Sequence, residues 1–104
     1  MTARILDFLA TRRPEGPCLV VDLDVIRDNF NAFRHALPDT RIFYAVKANP
    51  APEVLELLAS LGSCFDCASI PEIEMALATG ATADRISFGN TIKKERDIAR
   101  AFEL

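Results

Sequence analysis

From residue 41 to its end, the chain repeats one pattern of apolar and polar positions three times. Each repeat opens with a short β-type run, and the three runs span 41–46, 63–68 and 85–89. Each run is followed by a segment whose apolar residues recur at spacings of three and four, which is typical of an amphipathic helix. Gly62 and Gly80 lie where the first two helices are expected to stop. The pattern therefore predicts three βα units.

The first forty residues follow a different pattern and form a predicted lead-in. A short helix is expected over 2–12, and a strand is expected over 18–21. A second helix is predicted to begin after a cap at Asp22 or Asp24 and to end at Pro38. The lead-in is thus helix, strand and helix.

The period of the repeat indicates the kind of sheet. Lys47, Ser69 and Thr91 each lie just past a predicted strand, and 22 residues separate each from the next. Strand–helix–strand repeats build parallel sheets with right-handed crossovers, and this short period suits a closed barrel. A complete (β/α)8 barrel takes about 250 residues. The predicted fold class is therefore α/β, with residues 1–104 as the N-terminal portion of a TIM-like barrel and 41–104 as its first three βα units. The third helix is expected to begin near Thr91.

Composition and charge exclude several classes of protein. Half of the residues are hydrophobic and 26% are charged, as in an ordinary globular segment. Twelve Lys and Arg are interleaved with fifteen Asp and Glu, so no basic surface for nucleic acid is expected. No apolar run approaches the roughly 18 residues of a membrane span, and the charged N-terminus is unlike a secretory signal. We therefore expect a cytoplasmic protein with no nucleic-acid or membrane partner.

Lys47 is the first residue for which the sequence suggests chemistry. It follows the nearly all-apolar run 43–46, where burial would favour the neutral amine that attacks a carbonyl carbon. The alternative is structural, since a lysine at a strand end can extend its stem along apolar surface and place its charge in solvent. Asn49 and Pro50 suit the cap and the first position of the next helix. The spacing alone leaves both interpretations of Lys47 open.

Asp66 ends the second predicted strand, where a carboxylate could balance a cationic group and orient a substrate. Alternatively, it could accept hydrogen bonds from backbone amides of the turn. Ser69 and Glu72 fit a capping box, which is a structural role. Because the carboxyl ends of barrel strands face one rim, Lys47, Asp66 and residues 90–91 are expected to lie together.

Cysteine usage favours reduced thiols over a disulfide framework or a metal site. The chain has three cysteines, an odd number, and nothing indicates an oxidising compartment. Cys64 and Cys67 have the Cys-x-x-Cys spacing of zinc and redox sites, but residues three apart in a strand point to opposite faces. His35, the only histidine, lies near a helix C-terminus, where it can favour the helix dipole. We expect no metal.

Two sequence blocks carry a family resemblance. Residues 43–49 read FYAVKAN and residues 65–69 read FDCAS. At this mutual spacing, they resemble the opening of pyridoxal-phosphate (PLP) dependent ornithine decarboxylases of the alanine-racemase-like fold. The stretch 87–94 is similar to the compact bacterial branch, which acts on ornithine, lysine or both.

The resemblance implies a PLP-binding barrel followed by a C-terminal β-domain, in a homodimer whose active sites are built by both subunits. It implies that Lys47 binds pyridoxal 5′-phosphate covalently, that Ala45 lies against the cofactor ring and that Asp66 lines the pocket near that link. The implied substrate is a small basic amino acid, most simply ornithine, which would give putrescine, or lysine, which would give cadaverine. Because the phosphate-binding and substrate-contacting residues of the family belong to later segments, the 104 residues alone are expected to be inactive.

Related proteins give the alternatives. Diaminopimelate and carboxynorspermidine decarboxylases share the fold and the lysine, but their second block usually differs, and alanine racemase is more distant. Among non-catalytic relatives, a PLP-homeostasis protein is disfavoured by the strand expected at 19–21. A polyamine regulator usually lacks catalytic groups, whereas Lys47 and Asp66 are both present. A stand-alone structural domain has little support because the barrel is incomplete.

Overall fold

A computed structural model describes all 104 residues as two helices followed by three βα units. The helices and strands are α1 (Ala3–Arg12), α2 (Leu23–Ala36), β1 (Phe43–Ala45), α3 (Pro52–Ser60), β2 (Cys64–Cys67), α4 (Ile70–Ala78), β3 (Ile86–Phe88) and α5 (Glu95–Glu103). Short 3-10 turns over Val46–Ala48 and Ala83–Arg85 follow β1 and precede β3. No helix has the length and apolar character that crossing a membrane requires.

The three strands form a parallel sheet in the order β1-β2-β3, which agrees with the predicted α/β fold class. The register pairs Asp66 with Ala45 on one side and with Ser87 on the other. Because side chains alternate along a strand, these three residues share one face of the sheet. Phe65 and Cys67 belong to the opposite face.

The helices cover only the face that carries Phe65 and Cys67. Both side chains are fully buried, and burying a side chain as large as Phe65 stabilises the fold by about 1.5–3 kcal/mol. Helix residues complete this core, namely Phe30, Val54, Leu55, Leu58, Ile73 and Ala76. The face that carries Asp66 has no helix against it, and in a closed barrel it lines the interior. The face that carries Asp66 is therefore open to a ligand.

Arg85 fastens the amino end of the sheet, opposite to the end where Lys47 lies. Its Nε and Nη2 donate to the backbone oxygen of Ser63 at 3.1 and 2.6 Å, and Nη2 also donates to that of Ala59 at 2.9 Å. These carbonyls lie at the end of α3 and just before β2, where helix carbonyls lack partners. This end of the sheet thus serves stability, as is usual for the amino-terminal end of a barrel.

Within residues 1–104, the strand expected over 18–21 does not form. No backbone hydrogen bond of the sheet or of the loops reaches this segment, and Leu19 is 84% exposed. The apolar residues supply β propensity, but a strand also needs a neighbour to pair with, and the sheet begins at β1. The cap of α2, in contrast, is Asp22, whose carboxylate accepts from the N–H of Asp24 at 3.0 Å.

Two predicted helix starts are also wrong. The helix after β1 begins at Pro52 with Ala51 as its cap, because the residue before a proline is disfavoured in the helical region. The last helix begins at Glu95 and not near Thr91. Its first turn contains Glu95 and Asp97, whose negative charges favour a helix N-terminus.

Candidate active site

The carboxyl ends of the three strands meet at one depression of about 250 Å³. Its lining comes from three separate segments: Lys47 after β1, residues 66–68 at the end of β2 and residues 89–91 after β3. This is the gathering of polar groups that the strand-end positions predicted. Two depressions of about 280 and 340 Å³ lie among the helices, and Glu56 is their only charged lining residue. The strand-end depression is therefore the candidate site.

The turn Val46–Ala48 presents Lys47 to this depression. Val46 is fully buried, whereas Lys47 is exposed. Of the two interpretations left open, residues 1–104 show the exposed lysine, because the 3-10 turn gives the buried position to Val46. Lys47 makes no ion pair within the chain, so its amine is accessible to a ligand.

The segment after Lys47 is held by two hydrogen bonds that the sequence did not reveal. The hydroxyl of Tyr44 donates to the backbone oxygen of Asn49 at 3.1 Å. Burial raises the pKa of this hydroxyl, so it is protonated and able to donate. The Oδ1 of Asn49 accepts from the N–H of Ala51 at 3.1 Å. Asn49 thus connects β1 to α3 and fixes the turn that carries Lys47.

Asp66 is half-buried on the interior face, between Ala45 and Ser87. The structural alternative for Asp66 is wrong, since its carboxylate accepts no backbone hydrogen bond from the turn. Glu72 occupies that role, because its Oε2 accepts from the N–H of Ala68 at 2.7 Å. The carboxylate of Asp66 is therefore available to the depression.

Gly89 lies directly against Asp66 and was not among the predicted site residues. A Cβ at position 89 would overlap Oδ1 of Asp66 and lie 3.1 Å from its Cγ. The N–H of Gly89 donates to the backbone oxygen of Cys67 at 3.0 Å, which keeps the two strand ends together. In the sequence, the only signal was a glycine at a strand end.

The two cysteines of β2 lie on opposite faces of the strand, as their spacing predicted. Burial raises the pKa of the Cys67 thiol to about 12, and the carboxylates of Glu72 and Asp66 add to this effect. Cys67 is consequently a neutral thiol at physiological pH. Cys64 receives a hydrogen bond from Arg41 at 3.2 Å, and Cys18 is exposed. All three thiols are free.

Ser69 caps α4 as predicted, but only half of the predicted capping box forms, because Glu72 accepts from the N–H of Ala68 and not from that of Ser69. The Oγ of Ser69 accepts from the N–H of Glu72 at 3.4 Å, while Glu72 reaches back to Ala68. These two hydrogen bonds therefore anchor the turn that follows Asp66, immediately beside the depression.

Replacing Ser69 with alanine is expected to lower the free energy of unfolding by about 1 kcal/mol, because one N–H of the first helical turn loses its partner. Chemical denaturation of the full-length protein measures this loss. Ser60→Ala, near the end of α3, is the matched control. A Ser69→Ala protein as stable as the unsubstituted one would contradict the capping role.

The fold and the site together define a class of protein. A parallel α/β sheet that places an accessible lysine and a free carboxylate at its carboxyl-end rim is suited to an enzyme that holds a carbonyl cofactor on lysine. The sequence model of one family, described as pyridoxal-dependent decarboxylase, pyridoxal binding domain, matches residues 23–104. The chain belongs to this family, and the predicted family is confirmed.

Individual relatives agree with the family match. An ornithine decarboxylase, chloroplastic, from Nicotiana glauca is 49% identical over 85% of the chain and 20% of its own length. A lysine/ornithine decarboxylase from Selenomonas ruminantium is 43% identical over 89% of the chain and 23% of its own length. The crystal structure of a lysine/ornithine decarboxylase complexed with cadaverine, from Vibrio vulnificus, has a TM-score of 0.85 at 32% identity, covering 99% of this chain and 29% of that one. The chain thus spans about a fifth of the curated relatives' length.

The residues at the rim fit the pyridoxal group that this domain binds. Lys47 offers an accessible primary amine for an aldehyde, and Ala45 carries only a methyl group on the same face as Asp66, which leaves room for a flat ring. The Asp66 carboxylate is free to balance positive charge on the bound group. The predicted cofactor, PLP, is confirmed at the level of the domain. The roles of the three residues stay predictions.

Proposed function

We propose that the full-length protein is a PLP-dependent decarboxylase of a basic amino acid, with ornithine as the preferred substrate and lysine as the second. The observation that carries this proposal is the accessible amine of Lys47 beside the free carboxylate of Asp66 in one strand-end depression. The ornithine and lysine/ornithine decarboxylases among the relatives support the same chemistry. The product from ornithine is putrescine, a precursor of polyamines.

In this reaction the bond between Cα and the carboxyl carbon breaks, carbon dioxide leaves and a proton takes its place on Cα. The bound cofactor supplies the electron-accepting ring that this bond cleavage needs. Lys47 would hold the cofactor through its Nζ, the only amine of residues 1–104 that lines the depression. The two hydrogen bonds of Asn49 tie the 46–49 turn to β1 and α3 and so keep Lys47 at this rim.

Asp66 acts through its charge. A carboxylate within about 4–6 Å of a cationic nitrogen favours the protonated form of that nitrogen. Asp66 would therefore help to hold a proton on a cationic nitrogen bound in this depression. Ala45 would contribute space for the cofactor, because a larger side chain there would fill the face of the sheet that it shares with Asp66. The homodimer and the cytoplasmic location expected from the sequence belong to this proposal.

Carbon dioxide release tests the proposal. The full-length protein with added PLP is supplied with carboxyl-labelled ornithine, lysine or diaminopimelate, and the labelled gas is counted. We expect release from ornithine to exceed release from lysine, with none from diaminopimelate.

Two outcomes would replace the proposal. Release from diaminopimelate alone would make the protein a diaminopimelate decarboxylase, in line with a 38% identical relative of that name from Campylobacter jejuni. A PLP-dependent visible absorbance band without release from any of the three substrates would favour a non-catalytic PLP-homeostasis protein.

A further inference from the structure

We propose that Gly89 is a positioning residue that sets the direction of the Asp66 carboxylate, an inference that rests on the proposed function. Asp66 lies on the interior face of β2 and pairs with Ser87 of β3, and Gly89, two residues after Ser87, directly follows β3 on the same side. The hydrogen bond from the N–H of Gly89 to Cys67 holds the two backbones together. The Asp66 carboxylate then fills the space that a side chain at position 89 would occupy.

Backbone conformation does not explain this glycine. The glycines with positive φ are Gly16, Gly62 and Gly80, and Gly89 is not among them. An alanine at position 89 would therefore adopt the same backbone without strain. The requirement for glycine comes from the neighbouring carboxylate alone.

The expected consequence of adding a methyl group at position 89 is local. The atom it would overlap is Oδ1 of Asp66, the end of a flexible side chain that no hydrogen bond within the chain holds in place. The cheapest response is rotation of Asp66, which turns its carboxylate away from the present direction. The fold should persist while the charge beside Lys47 is displaced.

Few charged groups other than Asp66 lie close to Lys47. Lys47 and Asp66 are the only charged residues that line the depression. Glu72 approaches from α4, but its carboxylate is bound to the N–H of Ala68, and the Cys67 thiol is neutral at physiological pH. Among the charges of residues 1–104, Asp66 is therefore the one that a Gly89 variant would move relative to Lys47.

The test compares Gly89→Ala with Gly80→Ala in the full-length protein loaded with PLP. Gly80 has φ of 87°, and a methyl group added there would have no neighbour within 4 Å, so alanine strains the backbone without touching Asp66. The measurements are thermal unfolding, kcat, and the pH titration of the visible absorbance of the bound cofactor. Asp66→Asn and the double variant with Gly89→Ala complete the set.

For Gly89→Ala we expect a melting temperature close to that of the unsubstituted protein, a fall in kcat of about 10- to 100-fold and a titration midpoint about one pH unit lower. The midpoint falls because the displaced carboxylate no longer stabilises the protonated form. Gly80→Ala should lower the melting temperature and leave the midpoint unchanged. Gly89→Ala should add nothing to Asp66→Asn, since both act through one carboxylate.

The outcomes separate this inference from the proposed function. A wild-type protein without a PLP-dependent band would overturn the proposed function and the role of Gly89 with it. A normal wild-type band with an unchanged midpoint in Gly89→Ala would overturn the role of Gly89 alone. So would additive effects in the double variant, or a melting temperature for Gly89→Ala below that of Gly80→Ala.

Discussion

Full-length protein with Lys47 replaced by alanine is expected to lose the PLP-dependent visible band. Its rate of carbon dioxide release should fall by a factor on the order of 10³ or more. Within residues 1–104, Lys47 is the only amine that lines the strand-end depression, and so it is the residue expected to hold the cofactor covalently. Absorbance spectra with added PLP and labelled carbon dioxide release measure the two effects. Borohydride reduction followed by peptide mass analysis should place the cofactor on Lys47 in the unsubstituted protein.

Two controls separate the amine of Lys47 from its charge and from general effects of removing lysine. Lys47→Arg keeps the positive charge but lacks a primary amine, and it should be as inactive as Lys47→Ala. Lys94→Ala removes an exposed lysine at the cap of α5, outside the depression, and should leave both measurements unchanged. A cofactor found on Lys93 or Lys94 after reduction would overturn the assignment of Lys47.

The three βα units could be predicted because their signals are local. Each strand is an apolar run and each helix an amphipathic period, and Gly62 and Gly80 mark two helix ends with the positive φ that glycine favours. The strand at 18–21 could not be judged in this way, because strand formation depends on a partner elsewhere in the chain. The start of α5 was misplaced because polar residues 90–91 suit a cap, while the charges that favour the helix begin at Glu95.

The sequence predicted which residues lie together in the candidate site, but not their burial or their hydrogen bonds. Strand C-termini share one rim, so Lys47 and Asp66 could be placed together from sequence alone. Whether Lys47 is buried depends on the 3-10 turn that follows β1. Whether Asp66 is free depends on Glu72 binding the turn amide in its place. The contact between Asp66 and Gly89 depends on register between strands, which no local pattern encodes.

Asp66→Asn is the second substitution with a large expected effect, because it removes a charge while keeping the shape of the side chain. An opposite charge within about 4–6 Å shifts a pKa by about 1 to 3 units, which corresponds to about 1.4–4 kcal/mol. We therefore expect kcat to fall by about 10- to 1000-fold, with PLP still bound through Lys47. The titration midpoint of the bound cofactor should move to lower pH, since the protonated form loses a stabilising negative charge.

Steady-state kinetics and the pH titration of cofactor absorbance measure both effects of Asp66→Asn. Asp84→Asn is the matched control, because Asp84 is an exposed acid in the turn before β3, at the opposite end of the sheet. The pKa of Asp84 is lowered, chiefly by a hydrogen bond from the Thr82 hydroxyl, so Asp84 is charged in the unsubstituted protein. Asp84→Asn therefore removes one negative charge, as Asp66→Asn does, but at a residue that does not line the depression. If the two variants lowered kcat equally, the effect would come from net charge and not from the carboxylate beside Lys47. If Asp66→Asn lowered kcat without moving the midpoint, Asp66 would orient the substrate instead of holding a proton, and the charge argument would fail while the location of the site would stand.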